Sequence, residues 1–245
     1  MFFRNTNICA IINNFMFGKK YQKFEELVAQ PVELVEQEPI EEKILFIDWD
    51  DSLHPTNESF PQKLNKKVQQ ELDDFVDTVY LLLYRCIGRF KVYIITNGMK
   101  GWVENCIRTR MPRLAELMHR ITIISAHELY GSQFTDSYQW KLHTFHNIMK
   151  DITKKTVVMS IGDSYNEIYA LLANARYLQN SKIIPITIKL EAYPPLHYLH
   201  TELISLAHLI TIMDFRSGHY NIYNNGSVTR KNTKLNFLSK YDYNA

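Results

Sequence analysis

Short apolar runs alternate along the middle of the chain with longer stretches whose apolar residues recur every three or four positions. The runs are typical of strands buried on both faces, and the recurring stretches are typical of amphipathic helices. The predicted strands are residues 44–47, 92–95, 121–124, 157–161 and 183–188. The predicted helices are residues 64–87, 102–110, 138–149, 166–173 and 196–213, with a further helical stretch up to Met118.

Repeated strand–helix units of this kind predict a parallel sheet with helices on both faces. We therefore expect an α/β fold, a three-layer, doubly wound, Rossmann-like sheet of five parallel strands within residues 43–214. Residues 1–42 end in a stretch rich in Pro and Glu and are expected to form a partly disordered appendage. Residues 215–245 are rich in Asn, Tyr, Ser and Lys and are expected to form a disordered tail.

Composition excludes some classes of function. The formal net charge is +2 with acids and bases interleaved, so nucleic-acid binding is not expected. No apolar run reaches the roughly 20 residues that span a bilayer, and no secretory signal is evident, so no membrane partner is expected. The cysteines Cys9, Cys86 and Cys106 have neither disulfide nor metal-site spacing, which favours an intracellular, cytoplasmic location. No oligomeric state is predicted.

Polar residues follow the predicted strands at the edge where parallel sheets bind their ligands. Asp48 and Asp50 follow the first strand, Thr96 follows the second, and Asp163 follows the fourth, while Lys141 lies on the preceding helix. Carboxylates packed closely need a compensating cation, and an all-oxygen set of ligands suits Mg²⁺. The metal and the lysine would together neutralise a phosphoryl group, so the pattern predicts a site for phosphoryl transfer.

Four segments, in this order, resemble the four motifs of the haloacid-dehalogenase-like hydrolases. They are Phe46-Ile47-Asp48-Trp49-Asp50-Asp51-Ser52-Leu53, Ile94-Ile95-Thr96-Asn97, Tyr138-Gln139-Trp140-Lys141 and Ile161-Gly162-Asp163-Ser164-Tyr165-Asn166-Glu167. The resemblance covers residues 43–190. It departs from the family pattern at Ser52, where Thr or Val is usual, and at Glu167, where Asp is commoner.

The resemblance implies a magnesium-dependent phosphoric monoester hydrolase that forms an aspartyl-phosphate. Asp48 would be the nucleophile, and Asp50 would act as general acid and then as general base. Thr96 would hydrogen-bond a phosphoryl oxygen, and Lys141 would hold Asp48 and the phosphoryl group by charge. Mg²⁺ would bind the side chain of Asp48, the main-chain carbonyl of Asp50, and Asp163. The expected supporting residues are Asn97, Glu167, which would reach a metal-bound water, and Ser52.

Cap domains in this superfamily are inserted after the first motif or between the second and third. Here those intervals, residues 51–91 and 97–141, are too short for a large cap. By the resemblance, capless members have open sites and act on large substrates. The expected partner is therefore a phosphorylated substrate, either a phosphoprotein or another large phosphoester, while a small phosphate ester stays open as an alternative.

Two further interpretations stay open beside the enzyme. The chain could be a catalytically silent module of the same fold that binds a partner, or a receiver domain that is itself phosphorylated. The presence of both motif-one acids counts against the silent module. The third predicted strand ends at Ser125 rather than at an acid, which counts against a receiver domain. Trp102 and Trp140 are expected to be packing residues.

Overall fold

The computed structural model describes residues 39–56, 65–216, 218–223 and 225–231. The described strands are β1 (Glu42–Ile47), β2 (Lys91–Thr96), β3 (Ile121–Ser125), β4 (Thr156–Gly162), β5 (Ile183–Lys189), β6 (Gly218–Ile222) and β7 (Val228–Lys231). The described helices are α1 (Lys66–Ile87), α2 (Trp102–Arg110), α3 (Ala126–Tyr130), α4 (Ser137–Met149), α5 (Tyr165–Leu178) and α6 (Leu196–Ile212), with a 3₁₀ segment at Pro112–Arg120.

The described strands form one sheet in the order β3-β2-β1-β4-β5-β6-β7. Each neighbouring pair from β3 to β6 is parallel, and β7 runs antiparallel to β6. After β3 the chain returns across the sheet to place β4 beside β1, so the direction of winding changes between β1 and β4. In open α/β sheets, the crevice beyond the strand ends at such a point is where ligands bind.

Helices cover both faces of the sheet. Helices α1, α2 and α6 pack on one face through buried side chains that include Phe75, Cys106 and Leu203. Helices α4 and α5 pack on the other face through Phe145 and Leu171. Alternate residues of β1 enter the two cores, as a strand covered on both sides requires. The α/β class and the three layers are confirmed, and the order of the parallel strands is compatible with a Rossmann-like fold.

Side-chain caps mark where the helices begin. The Asn65 side chain accepts a hydrogen bond from the Val68 N–H at 2.9 Å and starts α1. Asp136 caps α4 in the same way through the Tyr138 N–H at 3.0 Å. Helix α5 continues beyond its predicted end at residue 173, because Asn174 is buried and its amide donates to the Leu142 carbonyl of the neighbouring helix at 2.9 Å.

The prediction of five strands is wrong, because the sheet continues through β6 and β7. Both strands lie in the stretch that composition had marked as a disordered tail, and β6 pairs with β5. A tight turn joins β6 to β7, with Gly226 at φ 79° and the Tyr223 N–H donating to the Ser227 carbonyl at 3.0 Å. These short polar strands are stabilised by pairing with a distant edge, which local composition does not report.

The interval 97–141 contains α2, the 3₁₀ segment, β3, α3 and the start of α4, and no cap domain. Residues 57–64 of the other interval, the appendage up to residue 38 and the chain after residue 231 lie outside the described residues. The described residues belong to one compact unit that begins at Pro39. Among the helices described, none combines the length and the apolar character needed to cross a membrane.

Candidate active site

A buried lysine joins two carboxylates at the carboxyl end of the sheet. Asp48 directly follows β1, and its N–H donates to the Ile161 carbonyl of β4 at 2.9 Å. Lys141, early in α4, donates from Nζ to Asp48 Oδ1 at 2.7 Å and also to Oε1 of Glu167 on α5. None of these three side chains is more than 6% exposed. The structure therefore brings together three predicted site residues that lie far apart in sequence.

Glu167 is oriented by the start of α5. Its Oε2 accepts hydrogen bonds from the Ser164 N–H at 3.2 Å and from the Ser164 hydroxyl at 2.6 Å. The first of these, together with the Glu167 N–H donating back to the Ser164 side chain, forms a capping box. Gly162 provides the space, since a Cβ there would lie 2.4 Å from Glu167 Cγ. The described structure pairs Glu167 with Lys141, and the predicted contact with a metal-bound water stays a prediction.

Asp163 directly follows β4, the strand that pairs with β1. The register pairs Ile47 of β1 with Ile161 of β4, so both acids follow the ends of adjacent strands. The Asp163 N–H donates to the Ser52 hydroxyl at 3.0 Å, and Lys189 donates from Nζ to the Asp163 carbonyl at 2.5 Å. Ser52, an expected supporting residue, thus contacts the backbone of Asp163. Lys189 was missed, and its only sequence signal is its position at the end of β5.

Buried negative charge exceeds buried positive charge in this cluster. Burial, reinforced by Glu167 and Asp163, raises the pKa of Asp48, and Lys141 opposes that change. Burial and the Glu167 carboxylate raise the pKa of Asp163 to about 6. Burial alone would lower the pKa of Lys141, but its two carboxylate partners raise it above the usual value, so the ammonium stays charged. A further cation at this edge would be electrostatically favourable.

Asp50 is held in a different way, by two neutral donors. Its Oδ2 accepts from the Thr96 hydroxyl at 2.8 Å, and its Oδ1 accepts from the indole N–H of Trp102 at 2.8 Å. Thr96 Oγ1 in turn accepts from the Gly98 N–H at 2.8 Å. Trp102 packs against the core as predicted, and its indole N–H also holds Asp50, a contact that the sequence did not indicate. The predicted contact of Thr96 with a phosphoryl oxygen stays a prediction, because its hydroxyl proton is directed at Asp50.

Aromatic rings support the loop after β1. Trp49, fully buried in the core, stacks against His54 with 5.7 Å between ring centroids, and Trp102 meets His54 edge-on at 6.1 Å. Burial and the charge of Arg110 lower the pKa of His54 to about 4, so its ring is neutral at neutral pH. Asn97, a predicted supporting residue, donates to the Ser137 carbonyl at 3.4 Å and ties the end of β2 to the start of α4.

The predicted magnesium ligands fit a hard cation by their chemistry and charge. Asp48 and Asp163 offer carboxylate oxygens at adjacent strand ends, in a cluster with surplus negative charge. Within the described residues, no group of three or more His, Cys, Asp or Glu side chains is arranged to hold a metal. The predicted set needs only two carboxylates and the main-chain carbonyl of Asp50, because Glu167 is directed at Lys141.

The rim around the site is open and partly apolar. A cavity of about 350 Å³ lies beside Thr96, between the start of α2, the end of β3 and α3. Large apolar side chains stand exposed in the segments that follow β2, β3, β4 and β5: Met99, Leu129, Tyr165 and Tyr193. Such a surface can contact a substrate well beyond the phosphoryl group.

Comparison with known proteins adds no relative. No protein-family model, no curated protein and no solved structure matches the chain.

Proposed function

We propose that this chain is a magnesium-dependent phosphohydrolase of the haloacid-dehalogenase-like superfamily. The observation that supports it most is the meeting of Asp48, Lys141 and Asp163 at the carboxyl edge of the sheet, where the winding changes direction. Asp48 would provide the nucleophile and Lys141 the cation. Asp50, two residues after Asp48, would carry the proton.

The reaction proceeds in two displacements. A carboxylate oxygen of Asp48 attacks phosphorus, the bond from phosphorus to the leaving oxygen breaks, and Asp50 gives its proton to that oxygen. Asp50, now a carboxylate, takes a proton from water, whose oxygen attacks the phosphorus of the aspartyl-phosphate. The bond between phosphorus and Asp48 then breaks, which releases phosphate and restores both acids.

Each neighbouring group serves one of these steps. Lys141 orients the Asp48 carboxylate and adds positive charge where phosphoryl oxygens would lie. Asp48, Asp163 and the main-chain carbonyl of Asp50 would hold Mg²⁺, which would supply the remaining positive charge that phosphoryl transfer requires. Ser52 holds the backbone of Asp163 in place.

The proposed substrate is a phosphoprotein or another large phosphoester. Supporting this class, the interval between the second and third motifs contains no cap, and exposed apolar side chains follow four consecutive strands. A peptide on either side of a phosphorylated residue could contact Met99 and Tyr165 while its phosphoryl group reaches Asp48. We expect a phosphopeptide to be hydrolysed with a higher kcat/KM than the free phosphoamino acid.

The decisive experiment compares the wild-type chain with Asp48→Asn on a panel of phosphoesters in the presence of Mg²⁺. We expect the variant to lose at least about 100-fold in kcat, because the covalent step disappears. Asp77→Asn, which changes an exposed carboxylate on α1, is the matched control and should keep full activity. Equal rates for wild type and Asp48→Asn would refute the nucleophile, and a folded wild type inactive on every ester would favour the silent partner-binding module.

A further inference from the structure

The Trp102 side chain contacts Asp50, the second acid of the first motif, and the resemblance gives this tryptophan no role. The indole N–H donates to Asp50 Oδ1 at 2.8 Å, and the carboxylate's other oxygen is held by Thr96. Asp50 is thus held at both oxygens, by two side chains from the segment that ends β2 and starts α2. Neither contact places a second charge beside the acid.

The backbone conformation between Thr96 and Trp102 positions the indole beside Asp50. Gly101 precedes α2 with φ 80°, a left-handed conformation that favours glycine, and so sets Trp102 as the first helical residue. The Trp102 N–H donates to the Met99 carbonyl at 3.0 Å, which closes the turn. At Gly98, a Cβ would lie 2.5 Å from Trp102 Cδ1 and 3.1 Å from Thr96 Oγ1. Gly98 and Gly101 therefore both help to position the Trp102 side chain.

We propose that Trp102 is a positioning residue for Asp50, and that the indole N–H fixes the rotation of the carboxylate that transfers the proton. This inference rests on the proposed function. A general acid acts only if its proton points at the leaving oxygen, and a carboxyl group with one free rotor spends much of its time misdirected. Trp102 and Thr96 hold two oxygens of one planar group and so define its plane.

The leaving group provides the readout that distinguishes positioning from simple support of the fold. Departure of an alkoxide needs a proton from the acid, whereas departure of a nitrophenolate needs little help. Trp102→Phe keeps an aromatic ring at this position and removes the N–H. We expect it to lower kcat about tenfold for an alkyl phosphate and less than about threefold for p-nitrophenyl phosphate. Asp50→Asn should show the same selectivity with a larger loss.

Two further variants distinguish the hydrogen bond to Asp50 from the packing of the aromatic ring. Trp140→Phe is the matched control, because the Trp140 indole donates to the Phe134 carbonyl at 2.7 Å, away from Asp50. It should leave the ratio of the two rates unchanged. Gly98→Ala keeps every donor but adds a methyl group against the indole and Thr96. It should therefore reproduce the leaving-group selectivity of Trp102→Phe.

A second readout does not require turnover. The chain contains three tryptophans, so a ¹⁵N-labelled sample has three indole N–H resonances. Trp102→Phe removes one of them and thereby assigns it, and Asp50→Asn should shift that same resonance while the resonance missing from Trp140→Phe stays in place. An assigned Trp102 resonance that Asp50→Asn leaves unmoved would show that the contact is absent and would overturn the inference.

The remaining outcomes separate the two proposals. With an active wild type, equal losses on both esters in Trp102→Phe and Gly98→Ala would overturn the positioning inference and leave the phosphohydrolase standing. A folded wild type that hydrolyses neither ester would overturn both, since the proton transfer that Trp102 is proposed to serve would not occur.

Discussion

Asp48 and Asp50 are two residues apart in sequence, yet the folded chain gives them opposite surroundings. Asp48 is buried and held by the ammonium of Lys141, which a second carboxylate shares. Asp50 is only partly buried and is held by a hydroxyl and an indole N–H. One carboxylate is therefore stabilised by charge and the other by neutral dipoles.

The difference matches what the two proposed chemical tasks require. A nucleophile must be ionised to attack; burial raises the pKa of Asp48, and the Lys141 ammonium opposes that rise. A group that releases and regains a proton is better held by neutral donors, since a fixed cation beside it would oppose protonation. The structure thus separates two identical side chains by their partners, and the following variants test that separation.

Removing the Lys141 ammonium beside Asp48 should have the largest effect on stability. Lys141→Met leaves two buried carboxylates without a counter-charge, and we expect the free energy of unfolding to fall by about 3–5 kcal/mol. Lys141→Met with Glu167→Gln should recover part of that loss, because one buried charge is removed. Urea unfolding followed by circular dichroism measures both.

Lys182→Met is the control for that pair. The Lys182 ammonium is exposed and donates to the Thr153 carbonyl at 2.7 Å, so its loss should change stability by less than about 0.5 kcal/mol. Similar destabilisation by Lys141→Met and Lys182→Met would mean that the buried ion pairs do not hold the site together.

Glu202 extends the comparison to a buried carboxylate held by a single neutral donor. It is fully buried on α6, its Oε1 accepts from the Glu191 N–H at 3.2 Å, and its Oε2 has no partner among the described residues. Burial raises the pKa of Glu202 to about 8, although the backbone N–H opposes that change. The stability that the protonated form contributes is complete below the unfolded pKa and is lost as the pH rises through about 8.

We therefore expect Glu202→Gln to gain stability relative to wild type as the pH rises from 5 to 9. The relative gain should be on the order of 3 kcal/mol, since the glutamine never acquires the buried charge. Urea unfolding at three values of pH measures it, with the exposed acid of Glu71→Gln as control. Parallel pH profiles for wild type and Glu202→Gln would contradict this expectation.

The smallest effect on stability is expected from removing a hydrogen bond to Asp50. Thr96→Val keeps the shape of the side chain but removes the hydroxyl that donates to Asp50 and accepts from the Gly98 N–H. We expect kcat for an alkyl phosphate to fall about tenfold and the unfolding free energy to fall by about 1 kcal/mol. Steady-state kinetics and urea unfolding measure the two effects.

Thr144→Val provides the matched change, because the Thr144 hydroxyl donates to the Trp140 carbonyl within its own helix. Its kcat should equal that of wild type. If the two valine variants lose activity equally, the hydroxyl at Thr96 has no special relation to Asp50.

Most of the sheet could be predicted because its strands are dense in β-branched and apolar residues. All five predicted strands are present, and each lies within one or two residues of its predicted ends. The hairpin of β6 and β7 was missed although Asn225-Gly226 is a strong turn signal. Its flanking residues are polar enough to resemble a tail, and only pairing with β5 gives them a fixed conformation.

The residues of the candidate site could be selected from sequence because parallel strands end at one edge. Asp48, Asp50, Thr96 and Asp163 were found by that rule, and the rule held for the positions of their strands. Trp102 and Lys189 escaped it, since aromatic and basic side chains are common on surfaces and in cores and nothing local distinguishes the ones that reach a carboxylate.

The sequence by itself determined the alternation of elements and the set of polar residues at one sheet edge, because hydrophobic periodicity and strand direction are local properties. Only the tertiary structure decided which donor faces which acid. Lys141 approaches Asp48 from a helix 93 residues away, and the Trp102 indole reaches Asp50 across 52 residues. Residues so far apart in sequence meet only when the helices pack on the sheet, so the partner of each carboxylate is a consequence of packing.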